Sequence, residues 1–473
     1  MDTLSWQAQA HLEKIKAHFD QSATLSPQAI SYRRLLARYF NLLIPADASV
    51  LEVGCGAGEL LACIKAKSKA GIDLSEDQIS RARQRVPEAD FMVADGETLQ
   101  MPGRLFDYII LSDAINLAAD VQRLFERLHE VSHGETRLIL NFHSNLWKPL
   151  VWLSTFVRLR SKQPECNWLT REDVVGLLRL SNWELIRFES RLLLPIRIFG
   201  LEALVNRWIA PVLSPFCLVN FAIARPVPRS VGVKPRTVSV VIPARNEAGN
   251  IESAVTRTPE MGEWTELIFV EGHSKDNTWE EIERVAQQYR SRRIKIHRQS
   301  GKGKGNAVRE GFDLADGELL MILDADLTMP PEELPKFYEA VVSRKCEFAN
   351  GCRLVYPMEH RAMRFLNMCA NKAFSLVFSW LLGQPVKDTL CGTKVMMAEA
   401  YQRIAANRTY FGEFDPFGDF DLLFGASKLN LKILDIPIRY RERVYGDTNI
   451  QRWRHGVLLL RMVLFAAKKL KFV

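Results

Sequence analysis

An apolar run, Leu319-Leu320-Met321-Ile322-Leu323, stops at Asp324-Ala325-Asp326, two carboxylates with one small residue between them. Such a run reads as a buried strand that carries two acids to the open edge of a sheet. Burying paired carboxylates is costly unless cations meet them, and a divalent metal is the simplest cation to do so. Upstream, Gly301-Lys302-Gly303-Lys304-Gly305-Asn306-Ala307-Val308-Arg309 sets flexible backbone and two lysines before a helix. Exposed amides, a helix N-terminus and cations suit phosphate, and the spacing lacks the Walker pattern of P-loop hydrolases. A second glycine-rich stretch, Glu52-Val53-Gly54-Cys55-Gly56-Ala57-Gly58, follows an apolar strand. Its glycines alternate, whereas a dinucleotide fingerprint wants the third one place later. Asp73 ends the next strand about twenty residues on, where an acid can take both hydroxyls of a ribose. Asp95 follows the third strand, within reach of an adenine amino group.

The elements that must position these groups alternate. Helical spacing runs from Ala8 to Leu43. Strands are expected at Ser49 to Val53, Ala70 to Asp73, Phe91 to Ala94, Tyr108 to Leu111 and Arg137 to Phe142, with helices around Glu59 to Ala66, Glu76 to Arg85 and Val121 to Val131. A helical insert spans Leu146 to Arg160, and a last strand pair falls at Trp183 to Glu189 and Val219 to Ala224. Residues 226–236 hold three prolines and several basic side chains, an extended linker. Alternation then restarts, with strands at Thr237 to Ile242, Thr265 to Val270, Arg293 to His297, Leu319 to Leu323 and Phe348 to Gly351. The fold class is α/β, two doubly wound domains at 1–225 and 237–445, followed by a basic amphipathic helix in 446–473.

Composition narrows the function. The chain has 473 residues, 47% hydrophobic and 25% charged, with a net charge of +8. That modest excess of base favours phosphates or a lipid surface and is too diffuse for nucleic acid. The eight cysteines include no C-x-x-C pair and read as free thiols of a reducing cytoplasm. No apolar stretch reaches the length of a spanning helix, and the N-terminus lacks the apolar core of a signal peptide.

Glu52 to Gly58, Asp73 and Asp95 resemble the three S-adenosylmethionine motifs of the class I methyltransferases, over roughly Ala8 to Pro226. The resemblance implies a Rossmann-like fold with Gly54 and Gly56 close to the methionine part, Asp73 at the ribose and Asp95 at the adenine, and with Glu52 and Gly58 also binding the cofactor. Ser112-Asp113-Ala114-Ile115-Asn116 lacks the Asn-Pro-Pro-Tyr pattern of nucleic-acid amino-methylating enzymes, which points to a small-molecule or glycan acceptor. His143, after the fifth strand, is placed for a general base, though a histidine at a strand end also has a purely structural reading.

Val238-Ser239-Val240-Val241-Ile242-Pro243-Ala244-Arg245-Asn246-Glu247, the turn Glu271-Gly272-His273-Ser274, the lysine loop and Asp324-Ala325-Asp326 resemble the family 2 GT-A glycosyltransferases, closest to the polyprenyl-phosphate sugar synthases, over about Arg236 to Val444. The resemblance implies a nucleotide pocket from Pro243, Ala244, Glu247 and Glu271, and a diphosphate near Lys304 and Arg309. It also implies Mg²⁺ or Mn²⁺ on Asp324 and Asp326. The usual Asp-Asp-Gly-Ser turn reads Glu271-Gly272-His273-Ser274 here, which leaves the nucleotide base open. Asp388, in Lys387-Asp388-Thr389, and Asp421, in Phe417-Gly418-Asp419-Phe420-Asp421, compete as the acid facing the acceptor. A sugar hydroxyl needs such a base, whereas a phosphate monoester is already anionic and needs mainly cations, for which Arg439, Arg441 and Arg443 are available. Two apolar stretches, Ala373 to Leu382 and Gly456 to Ala467, are short enough to lie in a lipid interface.

The sequence thus predicts a bifunctional, cytoplasmic enzyme, peripheral at a membrane. One half moves a sugar from a nucleotide sugar, with inversion, to a polyprenyl phosphate or a glycan. The other methylates a small molecule or glycan of the same pathway. A saccharide or natural-product hydroxyl acceptor and an inactive nucleotide-binding scaffold stay open as alternatives.

Overall fold

The computed structural model describes residues 6–20, 27–156, 167–195, 200–228, 234–356, 365–408, 419–443, 445 and 452–472. These divide into two compact units. The first runs to Pro228 and includes Lys471 and Phe472; the second covers Arg229–Leu470. Residues 229–233 of the expected linker, 157–160 of the expected insert helix, 446–451, and Phe417 and Gly418 lie outside the described residues.

In the first unit, β1 (Ser49–Val53), β2 (Ser68–Asp73), β3 (Asp90–Val93), β4 (Phe106–Ser112), β5 (Ser132–His143), β6 (Trp183–Arg191) and β7 (Val219–Pro226) form one sheet in the order β3-β2-β1-β4-β5-β7-β6. The first five are parallel; β7 and β6 close the far edge antiparallel. Continuous apolar strands such as β4 suit a sheet covered on both faces, and Ile109, Ile110 and Leu111 are fully buried. The chain moves outward on both sides of β1, so the crevice between β1 and β4 is the switch point where α/β sheets bind ligands.

One expected helix is absent. Glu59 to Ala66 makes only a 3₁₀ turn at Leu61–Cys63. Asn41, from the helix Pro27–Leu43, donates to the Cys63 carbonyl and accepts from the Lys65 amide, both at 2.8 Å. Those are the backbone groups that further helical turns would need. On the β6 side, Lys471 Nζ meets Glu189 Oε1 at 2.7 Å, and Arg191 donates to the Lys471 carbonyl at 2.6 Å. Burial alone would raise the Glu189 carboxyl, but Lys471, Arg187 and Arg191 hold it far below the ordinary range.

The second unit has β8 (Val238–Ala244), β9 (Thr265–Glu271), β10 (Arg293–Arg298), β11 (Leu319–Ile322), β12 (Phe348–Cys352), β13 (Lys394–Met397) and β14 (Ile433–Pro437), in the order β10-β9-β8-β11-β13-β12-β14. All pairs are parallel except those of β13 with β11 and β12. Its core joins Val238, Val240 and Ile242 to Leu267, Phe269, Leu319 and Met321. Here the switch point lies between β8 and β11, so their carboxyl ends open on one crevice.

Candidate active sites

At the first switch point the chain turns through Gly54, Gly56 and Gly58, with φ of +73°, +52° and +74°. Side chains resist these angles, and a Cβ at Gly56 would find nothing nearer than 3.8 Å, so the turn is open to a ligand. Asp73 does not wait for that ligand with free oxygens. Its Oδ2 accepts from the Gly56 amide at 2.8 Å and its Oδ1 from the Ser75 amide at 3.0 Å. The carboxylate thereby fixes the glycine turn against the end of β2 and keeps its remaining lone pairs for hydroxyls. Asp95 accepts from the Glu97 amide at 2.9 Å, and Glu97, which was not singled out in the sequence, takes the Ala119 and Asp120 amides at 2.7 and 3.0 Å. Burial pushes the Glu97 carboxyl up to about 7 against those amides.

Glu52 is buried at the end of β1. Burial raises it to about 8, although Arg33 opposes this, and its Oε2 has no hydrogen-bond partner among the described residues. An orphaned carboxyl oxygen beside an open glycine turn fits an ammonium or hydroxyl donor of a bound cofactor. On the β4–β5 side of the crevice, Asp113 and His143, both noted in the sequence, meet Asn141, Tyr32 and Arg33, which were not. Asp113 follows β4 with φ +58°, a left-handed angle uncommon for residues other than glycine. Its Oδ1 accepts from Asn141 at 2.6 Å and Tyr32 at 3.2 Å, while Arg33 lies 3.6 Å from Oδ2. His143 Nε2 is 3.9 Å from the same carboxylate. Arg33 and Tyr32 come from the helix Pro27–Leu43, ahead of β1, so only folding brings them here.

In the second unit, Glu247 follows β8, Glu271 ends β9, and Asp324 and Asp326 follow β11. Pro243 and Ala244 close β8, whose Ala244 carbonyl accepts the Gly272 amide at 2.8 Å. Glu271 accepts the Ser274 amide at 2.5 Å and so shapes the polar turn. The other three acids at the edge meet cations. Lys304 Nζ sits 2.5 Å from Asp324 Oδ1 at the start of the helix Lys304–Asp313. Arg443 reaches Asp326 at 2.6 Å and Glu247 at 2.9 Å, joining residues 117 and 196 positions apart. Burial lifts the Glu247 carboxyl to about 7, with Arg443 pulling the other way. Burial would also raise Asp324, but Lys304, Lys394 and Arg353 outweigh it and hold it below its ordinary value. Arg309 lies five residues past Lys304, about 140° around the helix, and is not brought to this pair.

The approach of Gly392 was missed in the sequence. A Cβ there would overlap the Asp324 carboxylate and the Lys304 ammonium, so backbone packs directly on that pair. Lys394, wholly buried at the start of β13, donates to the Cys391 carbonyl. Asp388 is wholly buried as well. Arg353 grips it with Nε at 2.7 Å, Nη2 at 2.8 Å and its amide at 3.1 Å, while Asn371 and Leu390 donate at 2.9 and 3.1 Å. Burial would raise this acid, yet Arg353 above all holds it down, to about 2. Asp421 is buried in the helix Asp419–Lys428 and accepts from Arg408 at 2.8 Å. Asp388 and Asp421 thus have different cationic partners. Among the described residues no cluster of three or more His, Cys, Asp or Glu side chains is arranged for a metal. Asp324 and Asp326 nevertheless supply two carboxylates, the donor set that suits Mg²⁺ when phosphate and water complete its shell.

Residues 50–133 match the family model described as methyltransferase domain, and residues 239–404 match glycosyl transferase family 2. The chain joins a methyltransferase domain to a family 2 glycosyltransferase domain. The glycosyltransferase domain is 28% identical over 221 residues to the dolichol-phosphate mannosyltransferase of Pyrococcus furiosus, covering 45% of this chain and 59% of that protein. It is 36% identical over 233 residues to the undecaprenyl-phosphate 4-deoxy-4-formamido-L-arabinose transferase of Edwardsiella ictaluri, covering 48% of this chain and 66% of that protein. A shorter match, 43% over 108 residues, links it to the dolichol-phosphate mannosyltransferase of Saccharomyces cerevisiae, covering 22% of this chain and 40% of that protein. The chain therefore spans between two fifths and two thirds of these curated relatives. The methyltransferase domain is similar to the SAM-dependent methyltransferase, possible histamine N-methyltransferase, of Thermotoga maritima, at 15% identity and TM-score 0.34 over 46% of this chain and 99% of that one.

Proposed function

We propose that the glycosyltransferase domain transfers a sugar from a nucleotide sugar to a polyprenyl phosphate, and that the methyltransferase domain methylates a small molecule or glycan of the same pathway from S-adenosylmethionine. The observation that carries the first half is the cluster Lys304–Asp324 and Arg443–Asp326–Glu247 at the carboxyl edge of β8 and β11. Carboxylates held by cations form an exchangeable set. A donor diphosphate takes the cations, and the freed Asp324 and Asp326 would hold Mg²⁺ or Mn²⁺. That ion would neutralise charge on the departing nucleoside diphosphate. Lys304, at a helix N-terminus, and Arg443 orient the diphosphate; Pro243, Ala244, Glu247 and Glu271 line the nucleotide side.

Asp388 serves to position Arg353 rather than to take a proton, because its lone pairs are engaged and its carboxyl is held low. A pathway without a general base suits an acceptor that is already anionic, such as a phosphate monoester, attacking with inversion. The relatives named for dolichol phosphate and undecaprenyl phosphate support the same acceptor class. In the other domain, Asp73 would hold the ribose and Asp95 the adenine, and Glu52 would meet the methionine part. Asn116, 3.4 Å from His143 Nδ1, and Asp113, itself held by Asn141, orient His143.

Screening nucleotide sugars for release of nucleoside diphosphate, with and without a polyprenyl phosphate and Mn²⁺, tests this reading. Release that depends on lipid phosphate is expected. Release stimulated only by free saccharides would exclude the lipid-phosphate acceptor. Calorimetry with S-adenosylmethionine tests the other domain separately.

A further inference from the structure

From His143, at the carboxyl edge of the first sheet, the chain passes through a 3₁₀ turn into the helix Lys148–Phe156. None of this helix's described side chains is buried: Trp152 is 67% exposed and Phe156 72%, with Leu150 and Leu153 also exposed. Apart from Lys148, Ser154 and Thr155 the helix is apolar, and it carries no acid. A helix apolar on all sides normally has apolar matter on all sides.

A second apolar segment leaves the same edge. β6 ends at Arg191, paired with Val219, and Val219 pairs with His143, so the β6–β7 connection lies at the carboxyl ends of the strands. Within it Leu204, Trp208, Val212 and Phe216 are exposed. The segment is anchored: buried Asn206 exchanges two hydrogen bonds with the Leu194 backbone, at 2.8 and 2.7 Å. Trp147 Nε1 donates to the Phe216 carbonyl at 2.8 Å and ties the two segments together. The joint surface therefore borders the edge that carries the glycine turn, Asp73 and Asp113.

Charge selects the occupant. Across 144–156 and 201–216 the sequence holds Lys148 and Arg207 against a single acid, Glu202, and the next six residues, 157–162, which lie outside the described ones, add Arg158, Arg160 and Lys162 and no acid. Tryptophan, phenylalanine and leucine among cations is the composition of a lipid interface, with rings at headgroup depth and bases on anionic headgroups. A second copy of this chain would bring a second set of segments with the same excess of base, which opposes pairing.

We propose that the methyltransferase domain docks on an anionic lipid surface through the helix Lys148–Phe156 and residues 201–216. The methyl acceptor is then a lipid-borne molecule presented at the interface. The acceptor clause rests on the methyltransferase reading; the docking does not.

The test is flotation of the full chain with phosphatidylcholine vesicles containing about a quarter phosphatidylglycerol, beside a triple variant, Leu150→Ser, Trp152→Ser and Phe156→Ser. Wild type is expected to float, and the variant's bound fraction to fall about tenfold while its calorimetric binding of S-adenosylmethionine is unchanged. A variant that floats like wild type, a wild type that stays with the soluble fraction, or a patch-dependent dimer in sedimentation without vesicle binding overturns the docking. With methyl-labelled S-adenosylmethionine and extracted membrane lipid, label is expected in the organic phase, and label confined to the aqueous phase overturns the lipid-borne acceptor. Loss of S-adenosylmethionine binding by wild type would remove the methyltransferase reading and leave flotation intact.

Discussion

The two sheet edges solve one problem in opposite ways. At the methyltransferase edge three carboxylates rest on backbone amides, Asp73 on Gly56 and Ser75, Asp95 on Glu97, and Glu97 on Ala119 and Asp120, while Asp113 is held by side chains. At the glycosyltransferase edge Glu271 rests on a backbone amide, and four acids rest on side-chain cations: Asp324 on Lys304, Asp326 and Glu247 on Arg443, Asp388 on Arg353. Amides cannot leave, so the first arrangement is a fixed mould, suited to a ligand with hydroxyls and an amine. Lysine and arginine side chains can turn to a new anion, so the second is a set of partners ready to be exchanged.

The sharpest way to break this contrast is Asp324→Ala. Sugar transfer is expected to fall about 10³-fold, as removal of a group that stabilises developing charge commonly does, with S-adenosylmethionine binding unchanged by calorimetry. Near-normal nucleoside diphosphate release would end the exchange picture. Asp388→Ala tests whether a cation-held acid can be wholly structural. It leaves Arg353 buried without its carboxylate and is expected to cost the glycosyltransferase domain about 3–5 kcal/mol in denaturant unfolding.

At the other edge, Glu52 gives a pH signature. Its carboxyl is raised from 4.5 to about 8 by burial. The folded state therefore binds the proton more tightly than the unfolded chain, and stability falls as pH rises from 4.5 toward 8, by on the order of 4 kcal/mol. Glu52→Gln should flatten that slope in unfolding followed across pH; an unchanged slope would assign it elsewhere. The mildest expected change comes from Asp73→Asn. It places an amide against the Gly56 or Ser75 amide and should weaken S-adenosylmethionine binding roughly 10–100-fold by calorimetry.

Both α/β sheets, the glycine turn and the paired acids were legible because each is local. A buried strand is a short apolar run, and an acid after it marks the edge. What neutralises each acid was less legible, since Arg443 lies 117 residues from Asp326, and Gly392 reaches Asp324 through a loop. β13 escaped notice because it is four residues long and begins with Lys394, a charge that the fold nonetheless buries. β14 carries Asp435 within and Pro437 at its end, which mask a strand pattern. The helix expected after Gly58 was overruled by Asn41, a residue unremarkable in its own stretch of sequence.

The ion cluster around Glu189 bears on how this fusion persists in inheritance. Lys471 is grouped with the methyltransferase domain, although the chain from Arg229 to Leu470 belongs to the other unit. A recombination at the linker would deliver a methyltransferase domain in which Arg187, Arg191 and Glu189 lack the ammonium that completes their set. Splitting the gene at the linker would therefore cost the first domain a buried cation that is encoded after the second.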